Sequence, residues 1–313
     1  MKFSAVIAIA PALAAASALA APDKLPAPPR MPEQPEIRES TPPPSMDPAR
    51  RDEAYGSVTG SRYYRQCLKM VNADADRAYD EATLWRDQGG GAAAEHCAAM
   101  ALARLGQLEE AARRLTRVAG AKAQVEAELR AEIFAQAGLL WLMAKKAEPA
   151  HEAFSQALTV APADDPARAQ YFFDRAQAAA NLGRWRDTAD DLTQTLALGK
   201  GRADAFILRA RAHRALGDLV SARNDIEAAL NMEPDSAEAL LERGQVRLDR
   251  GDVKGARADW LRVKTSAGGA GLQEAARHKL AELDAKLLKE CDPDALTPNA
   301  GEDVRLNIDD CPR

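Results

Sequence analysis

Residues 206–234 read FILRARAHRALGDLVSARNDIEAALNMEP. Apolar residues recur at three- and four-residue intervals on both sides of Leu216-Gly217-Asp218, so two amphipathic helices meet at a glycine turn. The same arrangement stands around Gly183 and around Gly251, each 34 residues from Gly217. A fixed period of this size marks stacked repeats, in which each unit covers its apolar side with its neighbour. Composition agrees: aromatics are only 5% of the 313 residues, and alanine fills their place. Small side chains let helices approach closely, which predicts an all-α chain. The net charge of −5 argues against general nucleic-acid binding.

Working outward, the preceding unit reads Phe172, Ala176, Gly183, Thr188 and Leu192, and the following one Leu240, Gly244, Gly251, Ala256 and Trp260. An earlier unit gives Phe134, Ala137-Gly138, Trp141, Ala150, Phe154 and Pro162. In this order and register the segment resembles a tetratricopeptide repeat (TPR), whose pattern is W-x2-L-G-x2-Y, A-x3-F and a closing proline. The departures are Thr188 for alanine, Lys200 for proline, and His213 and Arg247 for an aromatic. The resemblance covers about residues 92–268 and implies a right-handed superhelix of stacked helical hairpins. Its units run near 92–125, 131–164, 169–202, 203–236 and 237–268.

The flanks have other characters. Residues 1–21 carry Lys2, an apolar run from Phe3 to Ala18 broken by Pro11, and Ala18-Leu19-Ala20. This is the form of a cleavable signal peptide, with no membrane insertion expected after cleavage. It points to an exported protein, first of all in a bacterial periplasm. Residues 22–57 hold ten of the 18 prolines and read as a disordered linker. Residues 58–91 hold two capping helices, stopped by Gly89-Gly90-Gly91. Residues 270–290 form an amphipathic helix with Leu280, Leu283, Leu287 and Leu288 on one stripe, suited to cover the last apolar face. Residues 291–313 are an acidic tail.

Four cysteines lie outside the core repeats, and an even number in an exported chain favours disulfides. Three connectivities exist; proximity favours Cys67–Cys97, stapling the first cap helix, and Cys291–Cys311, closing the tail. No C-x2-C spacing points to metal. His96, His151, His213 and His278 fall in different units without an H-E-x-x-H pair, and no nucleophile elbow, phosphate loop or dinucleotide fingerprint is present. Neither enzymatic activity nor a cofactor is expected.

Two further patterns follow the period. Arg175, Arg209 and Arg243 recur, and Asp191, Asp225 and Asp259 follow each 16 residues later. They suggest a structural ladder of ion pairs, within units or between them. The resemblance also implies that the first helix of each unit lines a concave groove. By position the lining comprises Leu139, Leu142, Met143, Phe173, Gln177, Asn181, Ile207, Arg211, Arg214, Leu241, Gln245 and Leu248. The expectation is a protein or peptide partner held there, with Arg211 and Arg214 meeting its carboxylate. The lysine-and-asparagine clamp of chaperone-binding members is absent at the matching positions. An adaptor or scaffold is the favoured function. A site built across several units, enzymatic or for transport, and a structural homo-oligomer stay open; sequence does not fix the oligomeric state.

Overall fold

The computed structural model describes residues 62–121, 125–199, 201–266 and 269–291, with side chains as far as 287. The leader, the proline-rich segment, the tail and the Cys291–Cys311 pairing lie outside them. Two helices open the described chain: α1 (Arg62–Ala73) and α2 (Ala75–Trp85). A kink over Arg86–Gly90 follows, with Gly89 at φ 93°. Five hairpins come next: α3 (Gly91–Arg104) with α4 (Leu108–Gly120), α5 (Ala127–Met143) with α6 (Ala147–Val160), and α7 (Arg168–Asn181) with α8 (Trp185–Leu198). α9 (Ala203–Ala215) pairs with α10 (Leu219–Met232), and α11 (Ala237–Asp249) with α12 (Val253–Thr265). α13 (Ala270–Cys291) closes the series, and no strand occurs among the described residues.

Each hairpin turns in the same way. The first helix ends on a residue with positive φ: Gly106, Gly183, Gly217 and Gly251 lie between 71° and 84°. The next N–H then reaches back five residues, as from Asp218 to the His213 carbonyl (2.9 Å) and from Asp252 to the Arg247 carbonyl (2.8 Å). This Schellman closure satisfies carbonyls the helix leaves open, and it favours glycine because a Cβ is disfavoured at positive φ. Unit 2 is the exception: Lys145 takes the position at φ 59°, with Lys146 bonding the Trp141 carbonyl (2.9 Å). The hydrogen-bond gain holds the turn against the left-handed strain of a side-chain-bearing residue.

Packing follows chain order: every helix lies against the next from α1 to α13. First helices of successive units also touch, α5 with α7, α7 with α9, and α9 with α11, whereas the second helices make no comparable contact among the described residues. The stack therefore curves with its first helices on the inside. A large apolar side chain plugs each unit: Leu115, Phe154, Leu192, Ile226 and Trp260 are almost wholly buried. Gly138 and Gly244 make room, since a Cβ on Gly138 would fall 2.6 Å from the Phe154 ring. The Trp260 indole N–H donates to the Leu241 carbonyl (3.1 Å), which lets a polar ring sit in the core.

Both ends are covered. A Cys67–Cys97 disulfide, with Cα atoms 6.3 Å apart, ties α1 to α3. At the other end Ala276, Leu280 and Leu283 of α13 are buried against Trp260 and Val263. Apolar area that a last repeat would expose is thereby withdrawn from water, at about 25 cal/mol per Å².

Candidate functional site: the inner face of the stack

The inward stripe of each first helix is set by helical spacing. On α5 it is Glu128, Glu132, Gln136, Leu139 and Met143, each exposed or half-buried, while the residues between pack into the core. The matching stripe on α7 is Gln170, Asp174, Gln177 and Asn181, and on α11 it is Glu238, Glu242, Gln245 and Asp249. Leu139 and Met143 are 43% and 51% exposed and one turn apart, so they form an apolar patch. Leu142 is half-buried beside them, against the core.

Several expected lining residues lie elsewhere. Phe173, Ile207 and Leu241 are buried, packing between units. Each stands one position before the inward residue, which turns it about 100° around the helix and into the neighbouring unit. Gln177, Asn181 and Gln245 do reach the inner surface; Gln245 donates to Asp249 (2.9 Å) and accepts from Lys279 (2.7 Å). Leu248 is half-buried against the last cluster.

Arg211 and Arg214 are corrected more sharply. Both are already paired. Arg214 Nε donates to Glu242 at 2.6 Å, and Arg211 Nε to the same carboxylate at 3.3 Å. Glu238 and Asp249 complete the set at 3.5 and 3.4 Å. Glu242 comes from the next unit and is buried, so it requires these cations to offset its lost hydration. The pair is a joint between units 4 and 5 rather than an open anion receptor. Arg202 is likewise held by Asp204 (2.6 Å) and donates to the Gln170 amide oxygen (2.7 Å).

The inner face around α5 and α7 has the opposite balance. Glu132, Asp165 and Asp174 gather there with the phenol of Tyr171, whose ionisation burial and these carboxylates suppress. Asp174 is buried and accepts from Gln170 Nε2 (2.7 Å). Burial raises its carboxyl to about 7, partly offset by the Gln170 bond and by nearby Arg202. Glu132 is exposed on one side, yet the surrounding wall strips enough water to raise its carboxyl, and Asp165 adds to this. Among the described residues no cation lies within ion-pair distance of either carboxylate.

A buried polar chain runs from here to the cap. Tyr64 Oη lies 3.0 Å from His96 Nδ1, and His96 Nε2 lies 2.9 Å from Gln136 Oε1. Burial lowers the His96 pKa, so the neutral ring links α1, α3 and α5. The other histidines stand apart: His151 on α6, His213 3.7 Å from Asp225, and His278 beside Glu282. Among the described residues no group of His, Cys, Asp and Glu is arranged to hold a metal.

Between the two helices of units 3, 4 and 5, arginine and aspartate meet fork to fork. Arg175 reaches Asp191 at 2.6 and 2.8 Å, Arg209 reaches Asp225 at 2.7 and 2.9 Å, and Arg243 reaches Asp259 at 2.6 and 2.9 Å. The aspartates are buried and the guanidinium groups partly so. Arg175 and Arg209 also reach Ser155 and Thr193 of the preceding unit.

The sequence matches no protein-family model, and no curated protein matches it. Solved structures do. PilF of Pseudomonas aeruginosa is 15% identical over 73% of this chain and 99% of its own, with a TM-score of 0.53. The C-terminal part of a TPR protein from Cytophaga hutchinsonii is 13% identical over 71% of this chain and 88% of its own, with a TM-score of 0.56. YrrB, described as a TPR protein with an unusual peptide-binding site, is 15% identical over 63% of this chain and 96% of its own, at 0.50. Identity this low speaks for the fold alone. With its period, its turns and its chain-ordered packing, the chain has the tetratricopeptide-repeat fold.

Proposed function

We propose that this chain is a non-catalytic scaffold that holds an extended segment of a partner protein against the inner face of its first helices. The observation that carries the reading is the inward stripe of α5 and α7. There Leu139, Met143, Gln177 and Asn181 reach solvent and complete no contact the fold needs. Such a row of apolar and amide side chains along a rigid concave wall suits a peptide whose own backbone needs hydrogen bonds. Leu142 stands beside it, half-buried, while Gln245 and Leu248 lie outside it on α11.

The setting we propose is exported and bacterial, first of all the periplasm. The leader-like residues 1–21 and the Cys67–Cys97 bond support it, because disulfides persist in oxidising compartments. No helix among the described residues is long and apolar enough to cross a membrane. The role we favour, a scaffold in envelope assembly or maintenance, rests on the fold's versatility as a holder of other proteins.

Site-specific photocrosslinking tests this. A photoreactive residue at Gln177 faces the hollow, and one at Gln194 stands exposed on the second helix of the same unit. Partner adducts are expected from position 177 and not from 194. Adducts from 194 alone would move the function to the outer face.

A further inference from the structure

The inner face changes character along its length. From α9 to α11 every acidic group on the stripe has an arginine: Asp204 with Arg202, and Glu238, Glu242 and Asp249 with Arg211 or Arg214. Around α5 and α7 the carboxylates of Glu132 and Asp174 have none, and Asp165 adds a third negative charge nearby. Two and three turns further along α5, Leu139 and Met143 offer exposed apolar surface. Glu132 and Leu139 are seven residues apart on one helix, so about 10 Å separates the acidic and apolar parts. An extended chain spans that distance in about three residues.

We infer that the segment held here is basic and apolar: a lysine or arginine directed at Glu132 and Asp174, followed two to four residues on by a leucine, methionine or phenylalanine lying on Leu139 and Met143. This rests on the groove reading above and reverses the polarity expected from sequence, in which the protein supplied the cation. The groups facing Glu132 are Gln136, Asp165, Tyr171 and Tyr64, and those facing Asp174 are Gln170, Arg202 and Tyr171. Arg202 is the one cation in that list, and its fork already serves Asp204 and Gln170 while its plane lies 4.0 Å over the Phe173 ring. A cation from a partner therefore meets a net negative field, which Arg202 offsets only in part, in partly dehydrated surroundings, where charge attraction exceeds its value in open water. An acidic segment would meet repulsion at the same place.

The test is a positional-scanning library of fluorescent decapeptides presented to the purified full chain, followed by anisotropy titration of the selected peptide. Three proteins are compared: the natural chain, Glu132→Gln with Asp174→Asn, and Leu139→Ser with Met143→Ser. Selection of Lys or Arg near Leu, Met or Phe is expected. Binding should weaken at least tenfold in the carboxamide variant, and the natural chain should lose affinity with added salt while that variant loses little. Selection of acidic or uncharged peptides, or carboxamide binding within twofold of the natural chain, would overturn the charge assignment. If the Leu139/Met143 variant then still failed to bind, the groove would stand without it. No selected peptide, or equal binding by all three proteins, would remove both. A peptide of residues 22–57 or a second copy of the chain outcompeting the library would also overturn it.

Discussion

Units 2 and 4 have the same outline and opposite interiors. In unit 2 the helices meet through Ala137 and Ala153, both buried, with Phe134 and Phe154 filling the space. At the matching positions unit 4 has a salt-bridged fork, Arg209 with Asp225, and a smaller apolar cluster around Ile207 and Ile226. The inner face differs in the same sense. Unit 4's Arg211 and Arg214 are spent on the next unit's Glu242, whereas unit 2 shows Glu132, Leu139 and Met143 to the hollow. Where charge joins the units, little is left for a partner; where apolar packing joins them, the inner stripe is free. Repeats of this kind are stabilised mainly by nearest neighbours, so each region can carry its own solution.

The largest expected effect breaks a rung of the charged region. Arg209→Ala strands a buried Asp225 carboxylate, with only His213 near it at 3.7 Å. It should destabilise by about 2–4 kcal/mol, read by denaturant unfolding. Changing both Arg209 and Asp225 to alanine copies unit 2 and should recover more than half of that loss. If the double variant is as unstable as the single one, the contrast between the regions is wrong.

Reducing the Cys67–Cys97 bond should cost about 3 kcal/mol in the cap, from the entropy a 30-residue loop regains. Hydrogen exchange under reducing conditions should accelerate in α1 and α2 and leave α9 to α12 unchanged.

The third prediction concerns pH. The Asp174 carboxyl holds its proton more tightly in the folded chain (about 7) than unfolded (3.8). Its contribution is therefore fully present below about pH 4 and is lost as pH rises through 7. Asp174→Asn should raise stability by about 1–3 kcal/mol at pH 8 and by little at pH 4. His96 acts with the opposite sign: its depressed pKa supports the fold above 6.5 and withdraws that support as pH falls. Comparing the natural chain with Asp174→Asn across pH 4–8 isolates the aspartate.

The smallest effect sharpens the uniformity of the turns. Lys145→Gly should stabilise by about 0.5–1 kcal/mol, because glycine relieves the left-handed strain that lysine bears there.

Much of this was legible before the structure. The 34-residue glycine period and the helical spacing of apolar residues are local signals, and they carry the hairpins directly. The Cys67–Cys97 bond followed from proximity in chain order. What stayed hidden depends on contacts between units. Nothing near Arg211 or Arg214 announces Glu242, which lies 31 and 28 residues away and faces them only once unit 5 packs on unit 4. Phe173, Ile207 and Leu241 were placed on the wrong side by one residue, and one residue is a quarter of a turn. Lys145 was invisible as a turn residue because the usual glycine is missing. The acidic end could have been found: Gln170, Asp204 and Glu238 share the period, and Glu132 leads that row.

The most direct measurement is hydrogen exchange by mass spectrometry on the full chain, with and without the peptide selected by the library. The account predicts added protection in α5 and α7, strongest at residues 132–143, and none in α9 or α11. Protection centred on α9 and α11, or on the second helices, would contradict it.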